Sequence, residues 1–482
     1  MERMIDCVLF GASGDLALSK LIPSIYRCTK EGHVSLQSRL FFCARSQSGF
    51  ENMHKNVKDA LYRYLQEEEK DEKAMAAFLD CVIPIQVDIT DKSSFKQLKS
   101  QLTTQSNPTR VFYLAIPPGH YAQVARVLHD QQLITESTRL VVEKPIGSDL
   151  TSSESINDAL ATVFSEQQIF RIDHYLGKET VQNLLAMRFG NSLFERFWDA
   201  DAIDHIQISI NERVGVKGRV DYYEGIGALK DMVQNHLLQL LCLIAMESPN
   251  ELTPESIHRE KIKVLKALRP LTGESVNENT VRAQYVAGGQ NNQMESGYLE
   301  DTELSESTTE TFVAIKAHIN SWTWSKVPFY LRTGKRLSKQ RAEIVIQFKD
   351  VALSLYPEQQ LQANRLVIQL QPEERLRLHM MAKDRESLST ELKPVVLDLN
   401  FLEQKGSYRS FAYKRLFLDA VDGNRSLFMH RDEVAAAWQW IDPIATQWNK
   451  THDLHLYRAG TDGPEAADGL INADGRAWFE SE

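Results

Sequence analysis

The stretch Ile5-Asp6-Cys7-Val8-Leu9-Phe10-Gly11-Ala12-Ser13-Gly14-Asp15-Leu16-Ala17 decides the fold. Residues 5–10 are a short apolar run of strand length, and a glycine turn follows that opens a helical stretch over 17–31. Gly11 permits the tight turn and Gly14 lets the chain approach a ligand closely. Backbone N–H groups at such a turn, together with the N-terminal end of the helix dipole, are placed to hold a pyrophosphate. A GxxGD turn on its own is equally a plain left-handed connection. Its place in the first strand–helix unit favours the phosphate reading, with Gly11, Ala12, Ser13, Gly14, Asp15 and Leu16 as the candidates.

Working outward, short apolar runs alternate with longer amphipathic stretches up to residue 150. RLFFCA, a charged helical stretch at 52–80, CVIPIQVDI, a helix at 93–103, VFYLAI and RLVVEKPI succeed one another. This alternation predicts a parallel sheet covered by helices on both faces. The run Glu67-Glu68-Glu69-Lys70-Asp71-Glu72-Lys73 falls inside the second helical stretch and reads as a solvated face. Where an NAD enzyme places a carboxylate after its second strand, this chain has Cys43-Ala44-Arg45-Ser46. An arginine beside a small hydroxyl suits a 2′-phosphate and predicts NADP, although a strand-end cation is also an ordinary surface feature.

The 482 residues, 43% hydrophobic and 25% charged, have the composition of a globular protein of two or three domains. A net charge of -10 gives no field that would gather nucleic acid or an anionic membrane. An anionic ligand must therefore be held by a local group of cations. The first residues lack the long apolar segment of a signal peptide. Leu237 to Met246 is too short to cross a bilayer and reads as a buried helix. Five scattered cysteines without a CxxC pair support neither a disulfide framework nor a zinc site, so a cytoplasmic location is expected.

After about residue 200 the character changes to period-2 runs, HIQISI (205–210), TFVAIKAHI (311–319), AEIVIQF (342–348) and RLVIQL (365–370). These read as half-buried antiparallel strands. Residues Ala287 to Thr309 form the clearest long loop, and no internal repeat is evident.

Polar groups crowd four segments. RIDHYLGKE, residues 171–179, places Asp173, His174, Tyr175 and Lys178 directly after an apolar run. On a helix His174 and Lys178 share a face and could clamp one phosphate, with Tyr175 adding a hydroxyl donor. Singly, each has a plainer role, since an Asp after a strand commonly caps a helix and a His commonly packs. DMVQNHLLQLLCLIAM, residues 231–246, is an apolar helix carrying His236, and a lone His on such a helix is by default a core residue. At 100° per residue Asp231 and His236 stand roughly 140° apart, approaching one substrate from different sides. EKPIG, residues 143–147, ends a strand of the first domain, with Lys144 held extended before Pro145 where ligands of open α/β sheets bind, or else simply at the surface. YLRTGKRLSKQRAEI, residues 330–344, collects Lys335, Arg336, Lys339 and Arg341 around a glycine turn, either as an anion site or as a solvated basic turn.

Taken together, GASGDLALSK, FYLAIPP, EKPIG, RIDHYLGKE, DMVQNHLLQL, VRAQY, VPFYLRTGK and HRDEVAAAWQW resemble the glucose-6-phosphate 1-dehydrogenase family, in consistent order from residue 5 to near the C-terminus. The resemblance implies a Rossmann-type domain over 1–172 and an α+β domain over 173–482 built on a mainly antiparallel sheet, which carries substrate binding and dimerisation. It implies oxidation of D-glucose 6-phosphate at carbon 1 to 6-phospho-D-glucono-1,5-lactone with reduction of NADP, the first step of the oxidative pentose phosphate pathway. His236 then takes the proton of the carbon 1 hydroxyl, with Asp173 as its carboxylate partner. His174, Tyr175 and Lys178 hold the phosphate, and Lys144, Glu212 and Asp231 the sugar, with Lys335 closing the site and Lys339 as a second contact. Gly11 to Leu16, Lys20, Arg45, Ser46, Asp88, Ile89, Pro117, Pro118 and Lys144 fall at coenzyme positions.

Hydride transfer needs a base and an oriented cofactor, so no metal is expected. A homodimer or homotetramer is expected, without nucleic acid or membrane partners. Two departures from the family pattern are Asp462, where a Trp is usual, and a shortened stretch from 335 to 341. A catalytically silent NADP-sensing or scaffold protein, or a dehydrogenase of another sugar, is the alternative.

Overall fold

The computed structural model describes all residues except 1, 105–106, 108, 291–292, 357–358, 385–390, 401–411, 452 and 481–482. Two compact units are present. The first comprises residues 1–178, 251–258 and 410–435, and the second comprises 179–250, 259–409 and 436–482.

The first unit is built on strands β1 (Ile5–Phe10), β2 (Arg39–Ala44), β3 (Val82–Gln86), β4 (Thr109–Leu114), β5 (Thr138–Val142) and β6 (Ile169–Ile172). They run parallel in the order β6-β5-β4-β1-β2-β3, and the short strand Phe428–Met429 adds antiparallel to the outer edge of β6. All six residues of β1 are buried, and β2 and β4 are buried apart from their first residues. Such double-sided burial is why these strands read as continuous apolar runs instead of alternating ones. The helix Ala412–Asp422 belongs to this unit because Leu416, Phe417, Ala420 and Val421 join the same core as Ile5, Leu9 and Tyr113.

The strand order reverses between β1 and β4, so the C-terminal ends of the strands frame a crevice at that point. Parallel pairing also has a simple consequence for chemistry. Whatever follows β1 to β6 in sequence lies along a single edge of the sheet.

The charged stretch 52–80 differs from the single helix expected. It forms two helices, Met53–Tyr64 and Glu72–Asp80, separated by the one-turn helix Glu67–Glu69. Leu65 leaves the helical conformation, and Asp71 starts a new helix by accepting the N–H groups of Lys73 and Ala74. The run is not purely a solvated face either. Glu69 takes both Nε and Nη2 of the buried Arg27, at 2.6 and 2.9 Å, and this pairing holds its carboxyl below the usual range.

The second unit is built on a nine-stranded sheet in the order Leu392–Asn400, Arg375–Lys383, Arg365–Gln371, Arg341–Phe348, Ile203–Asn211, Pro328–Gly334, Phe312–His318, Thr280–Val286 and His455–Arg458. Six of its neighbouring pairs are antiparallel, and two are parallel: Pro328–Gly334 with Ile203–Asn211, and His455–Arg458 with Thr280–Val286. The alternation seen in the sequence thus continues into two further strands, 375–383 and 392–400, in which no residue is fully buried.

The expected loop Ala287–Thr309 is more ordered than its composition suggests. It contains the small hairpin Gly288–Gln290/Gln293–Glu295 and the helix Tyr298–Thr302. Besides the buried Tyr298 ring, polar side chains fasten it, with Tyr285 donating to Asp301 at 2.8 Å and Ser307 and Thr309 donating to Glu224 at 2.9 Å.

The helix Leu238–Ala245 is buried throughout, as its apolar sequence requires. Among the described residues no helix is long and apolar enough to cross a membrane.

Candidate active site

In the first unit the glycine turn after β1 is tied down by Ala12 N–H donating to Cys43 at 3.1 Å and by Gly14 N–H donating to Gly11 at 2.9 Å. Gly11 has φ +78°, and a Cβ there would stand 2.2 Å from the carbonyl oxygen of Ala115. Only glycine fits. Ser13, Gly14 and Asp15 lie exposed at the head of the following helix, whose first N–H groups have no intrahelical acceptors. Lys20 is exposed one turn further on.

The other coenzyme candidates follow β2, β3 and β4 on the same sheet edge. Arg45 is exposed, and Ser46 caps the helix Gln47–Glu51 by accepting the Gly49 N–H at 3.1 Å. Asp88 accepts the hydroxyl and N–H of Thr90. These bonds, with Arg45 and His120 nearby, hold its carboxyl below the usual range. Ile89 adjoins it, half-buried, and Pro117 and Pro118 open the one-turn helix Pro118–His120 after β4.

Lys144 follows β5 and is half-buried. Its neighbour Glu143, which the sequence did not single out, is buried, and its carboxylate accepts the Tyr113 hydroxyl at 2.5 Å. Burial raises this carboxyl to about 7, against the opposing effects of Tyr113 and Lys144.

The segment after β6 departs from expectation in one respect. Residues 173–178 form successive turns, and the helix begins only at Glu179. His174 and Lys178 therefore do not share a helical face. Asp173 is fully buried, and its Oδ1 accepts the Tyr175 N–H at 2.9 Å, so it organises the turn in the way an N-cap would. Lys178 Nζ sits 3.7 Å from the Tyr175 ring centroid, and the His174 ring stacks on Tyr413 at 6.1 Å and 6°. Tyr413 comes from a distant part of the chain, and nothing local in the sequence points to it. Gly177 is required because a Cβ would meet the Ala412 carbonyl oxygen at 2.7 Å.

In the second unit, parallel pairing of Ile203–Asn211 with Pro328–Gly334 sets Glu212 and Lys335 side by side just past their strand ends. Lys335 Nζ donates to Glu212 at 2.6 Å and stands 3.6 Å from Asp231. Tyr223 lies with its ring 5.0 Å from the same ammonium, and burial followed by Asp231 pushes the Tyr222 phenol up.

Asp231 and His236 lie on one helical segment, Leu229–Leu237, wound with i→i+5 hydrogen bonds. That winding corrects the expected angular separation, because its wider turn brings residues five apart closer to one face than α-helical spacing does. His236 is fully buried. The segment is capped by Glu310, which accepts the Leu229 N–H at 2.9 Å and whose carboxyl burial raises to about 7.

The basic turn 335–341 is not an open anion site. Arg336 pairs with Glu295 and Asp301, and Arg341 pairs with Glu343 at 3.0 Å. Lys339 is exposed beyond the Lys335 cluster. Asp462 accepts the Ser338 hydroxyl and contributes, with Glu343, to offsetting the burial of Arg332, whose guanidinium is lowered to about 10.

A parallel sheet with this strand order, a glycine cradle after β1 and ionisable groups along one edge define a dinucleotide-dependent dehydrogenase. A family model described as glucose-6-phosphate dehydrogenase, NAD binding domain, matches residues 8–183, and one described as the C-terminal domain of the same enzyme matches residues 185–479. The chain is similar to the glucose-6-phosphate 1-dehydrogenase of Rhizobium meliloti, 45% identical over 479 residues, covering 99% of this chain and 98% of that one. Its counterpart in Mycolicibacterium smegmatis is 45% identical and covers 98% and 97%. A solved glucose-6-phosphate dehydrogenase in complex with its substrate glucose-6-phosphate superposes with a TM-score of 0.91 at 33% identity over 99% of both chains. The chain belongs to the glucose-6-phosphate dehydrogenase family and is an oxidoreductase.

Proposed function

We propose that this protein oxidises glucose 6-phosphate at carbon 1 to the 1,5-lactone, with NADP as hydride acceptor and His236 as general base. The observation that carries the reading is the fully buried Asp173 opening a turn that also presents His174, Tyr175 and Lys178. A buried carboxylate is costly unless it is hydrogen-bonded or paired, and here it lies beside the groups suited to a phosphate.

The residues fit the coenzyme. The Gly11 cradle admits backbone but no side chain, and exposed Arg45 with the Ser46 hydroxyl suits a 2′-phosphate. Gly11 to Leu16, Lys20, Arg45, Ser46, Asp88, Ile89, Pro117, Pro118 and Lys144 would hold it. When bound, NADP supplies the hydride acceptor. His236 accepts the proton of the carbon 1 hydroxyl, and Asp173 orients the ring and stabilises the imidazolium. His174, Tyr175 and Lys178 bind the phosphate by charge-assisted and neutral hydrogen bonds. Lys144, Glu212, Asp231 and Lys335, with Lys339 at the periphery, orient the sugar.

A homodimer or homotetramer is supported by exposed apolar residues on the last two strands of the second sheet, where Leu397 is 60% and Val396 47% accessible. Five buried cysteines that form no disulfide suit a cytoplasmic enzyme.

The test is the rate of nicotinamide reduction with glucose 6-phosphate and NADP against parallel reactions with NAD or free glucose. Fast reduction that requires both the phosphate and NADP is expected. Binding of NADP without turnover on any hexose phosphate would refute the assignment.

A further inference from the structure

Glu143 directly follows the buried strand β5, at a position where an apolar residue would cost least, and it is only 8% exposed. It is held from two elements. The Tyr113 hydroxyl of β4 donates to its carboxylate at 2.5 Å, while the Tyr121 hydroxyl, on the helix Tyr121–Asp130, donates to its carbonyl oxygen at 3.0 Å and accepts its N–H at 3.2 Å. Its main chain is therefore fixed on both sides of its Cα, including the carbonyl of the peptide that leads to Lys144.

We propose that Glu143 is a positioning residue of the reaction, fixing the main chain at Lys144 and setting the charge that Lys144 and Asp173 face. This rests on the reading of His236 and Asp173 as base and partner. The charged and titratable groups around the carboxyl are few. Lys144 adjoins it in sequence, Tyr113 and Tyr121 touch it from β4 and its following helix, Asp173 faces it from the end of β6, and Tyr413 stands behind Tyr113.

Lys144 opposes the effect of burial on the Glu143 carboxyl, and Asp173 reinforces it. Glu143 titrates to about 7 because burial opposes its charge first and Asp173 adds to that. Its ionisation thus adds a second negative charge beside Asp173 within the working pH range. The added charge stabilises the imidazolium of the base and raises its basicity.

The experiment is the pH profile of kcat/KM for wild type, Glu143→Gln, Tyr113→Phe and the double variant. Glutamine keeps an acceptor for the Tyr113 hydroxyl but carries no charge. The acidic limb is expected to move down by roughly 0.5–1 pH unit in Glu143→Gln. Tyr113→Phe is expected to shift it the same way, because Glu143 ionises less readily without its donor, and the double variant should shift no further than Glu143→Gln alone.

An unmoved limb in Glu143→Gln with unchanged Tm would overturn the inference, as would full additivity in the double variant. A wild-type profile with no acidic limb would instead remove the base assignment, and the inference with it.

Discussion

Asp173, His174, Tyr175 and Lys178 fall within six consecutive positions after β6, whereas Glu212 and Lys335 meet from 123 positions apart and join Asp231 on a third element. The first group is organised by its own turn, through the Asp173 carboxylate and the Tyr175 N–H. The second exists only because two parallel strands end in register. A contiguous constellation announces itself in sequence because its crowding has no cheaper explanation. A dispersed one consists of residues that are each unremarkable until topology brings them together. The two also differ in what removal should do, since a turn with its own hydrogen bonds tolerates loss of a functional group better than a cluster stabilised by mutual ion pairing.

Asp173→Asn sharpens this contrast most strongly. Asparagine retains an acceptor for the Tyr175 N–H, so the turn and the Tm should persist while kcat falls on the order of 10²–10⁴-fold. Steady-state rates alongside thermal unfolding check it, and a fall in Tm matching the fall in rate would make Asp173 structural.

The lysines of the two groups should then separate. Lys178→Ala is expected to raise the KM for glucose 6-phosphate about 10–100-fold with little change in Tm, the loss of one charged hydrogen bond of about 1.5–3 kcal/mol. Lys335→Ala leaves Glu212 and Asp231 without their shared cation, so activity and stability should fall together, by about 2–4 kcal/mol in unfolding free energy. Equal Tm values for the two variants would erase the distinction.

Glu310, which caps the helix of Asp231 and His236, gives a pH-dependent signature. In the folded state its carboxyl keeps a proton up to about 7, while the unfolded chain releases it near 4.5. The folded state therefore binds more protons between those values, and this contribution to stability is lost as pH rises through 7. Relative to wild type, Glu310→Gln should gain roughly 1–3 kcal/mol between pH 5 and pH 8, and no difference should remain at pH 4. Denaturant unfolding at the three pH values decides it. Smallest of all, Arg45→Ala should weaken NADP about tenfold and leave NAD unaffected, measured by coenzyme KM.

How much of this was legible follows the same division. Strands such as β1 and β2 were readable because burial on both faces leaves the continuous apolar runs IDCVLF and RLFFCA. The glycine turn was readable because a left-handed, closely packed residue leaves no other choice than Gly11. The break in 52–80 was masked by helix-forming side chains on both sides of Leu65, and the order within 287–309 by hydrogen bonds of Tyr285 and Glu224 that carry no periodicity.

The i→i+5 winding at 229–237 has no composition of its own, so the angle between Asp231 and His236 was not derivable from α-helical spacing. Within the site, the 171–179 segment could be picked from its residues alone. Glu212 and the joining of Lys335 to Asp231 came only through the family resemblance. Glu143 carries no sequence signal because a Glu beside a Lys after a strand reads as an ordinary surface pair, and Tyr413 because it lies more than two hundred positions from the ring it stacks on.

The account turns on His236, a buried histidine that would pass for an ordinary core residue. The most direct measurement is NADP reduction by His236→Asn in the presence of glucose 6-phosphate, together with direct titration of both ligands. Turnover reduced on the order of 10²–10⁴-fold with both dissociation constants near those of wild type is the expected result. Retention of more than a tenth of the wild-type kcat would contradict the assignment of the base and leave His236 a packing residue.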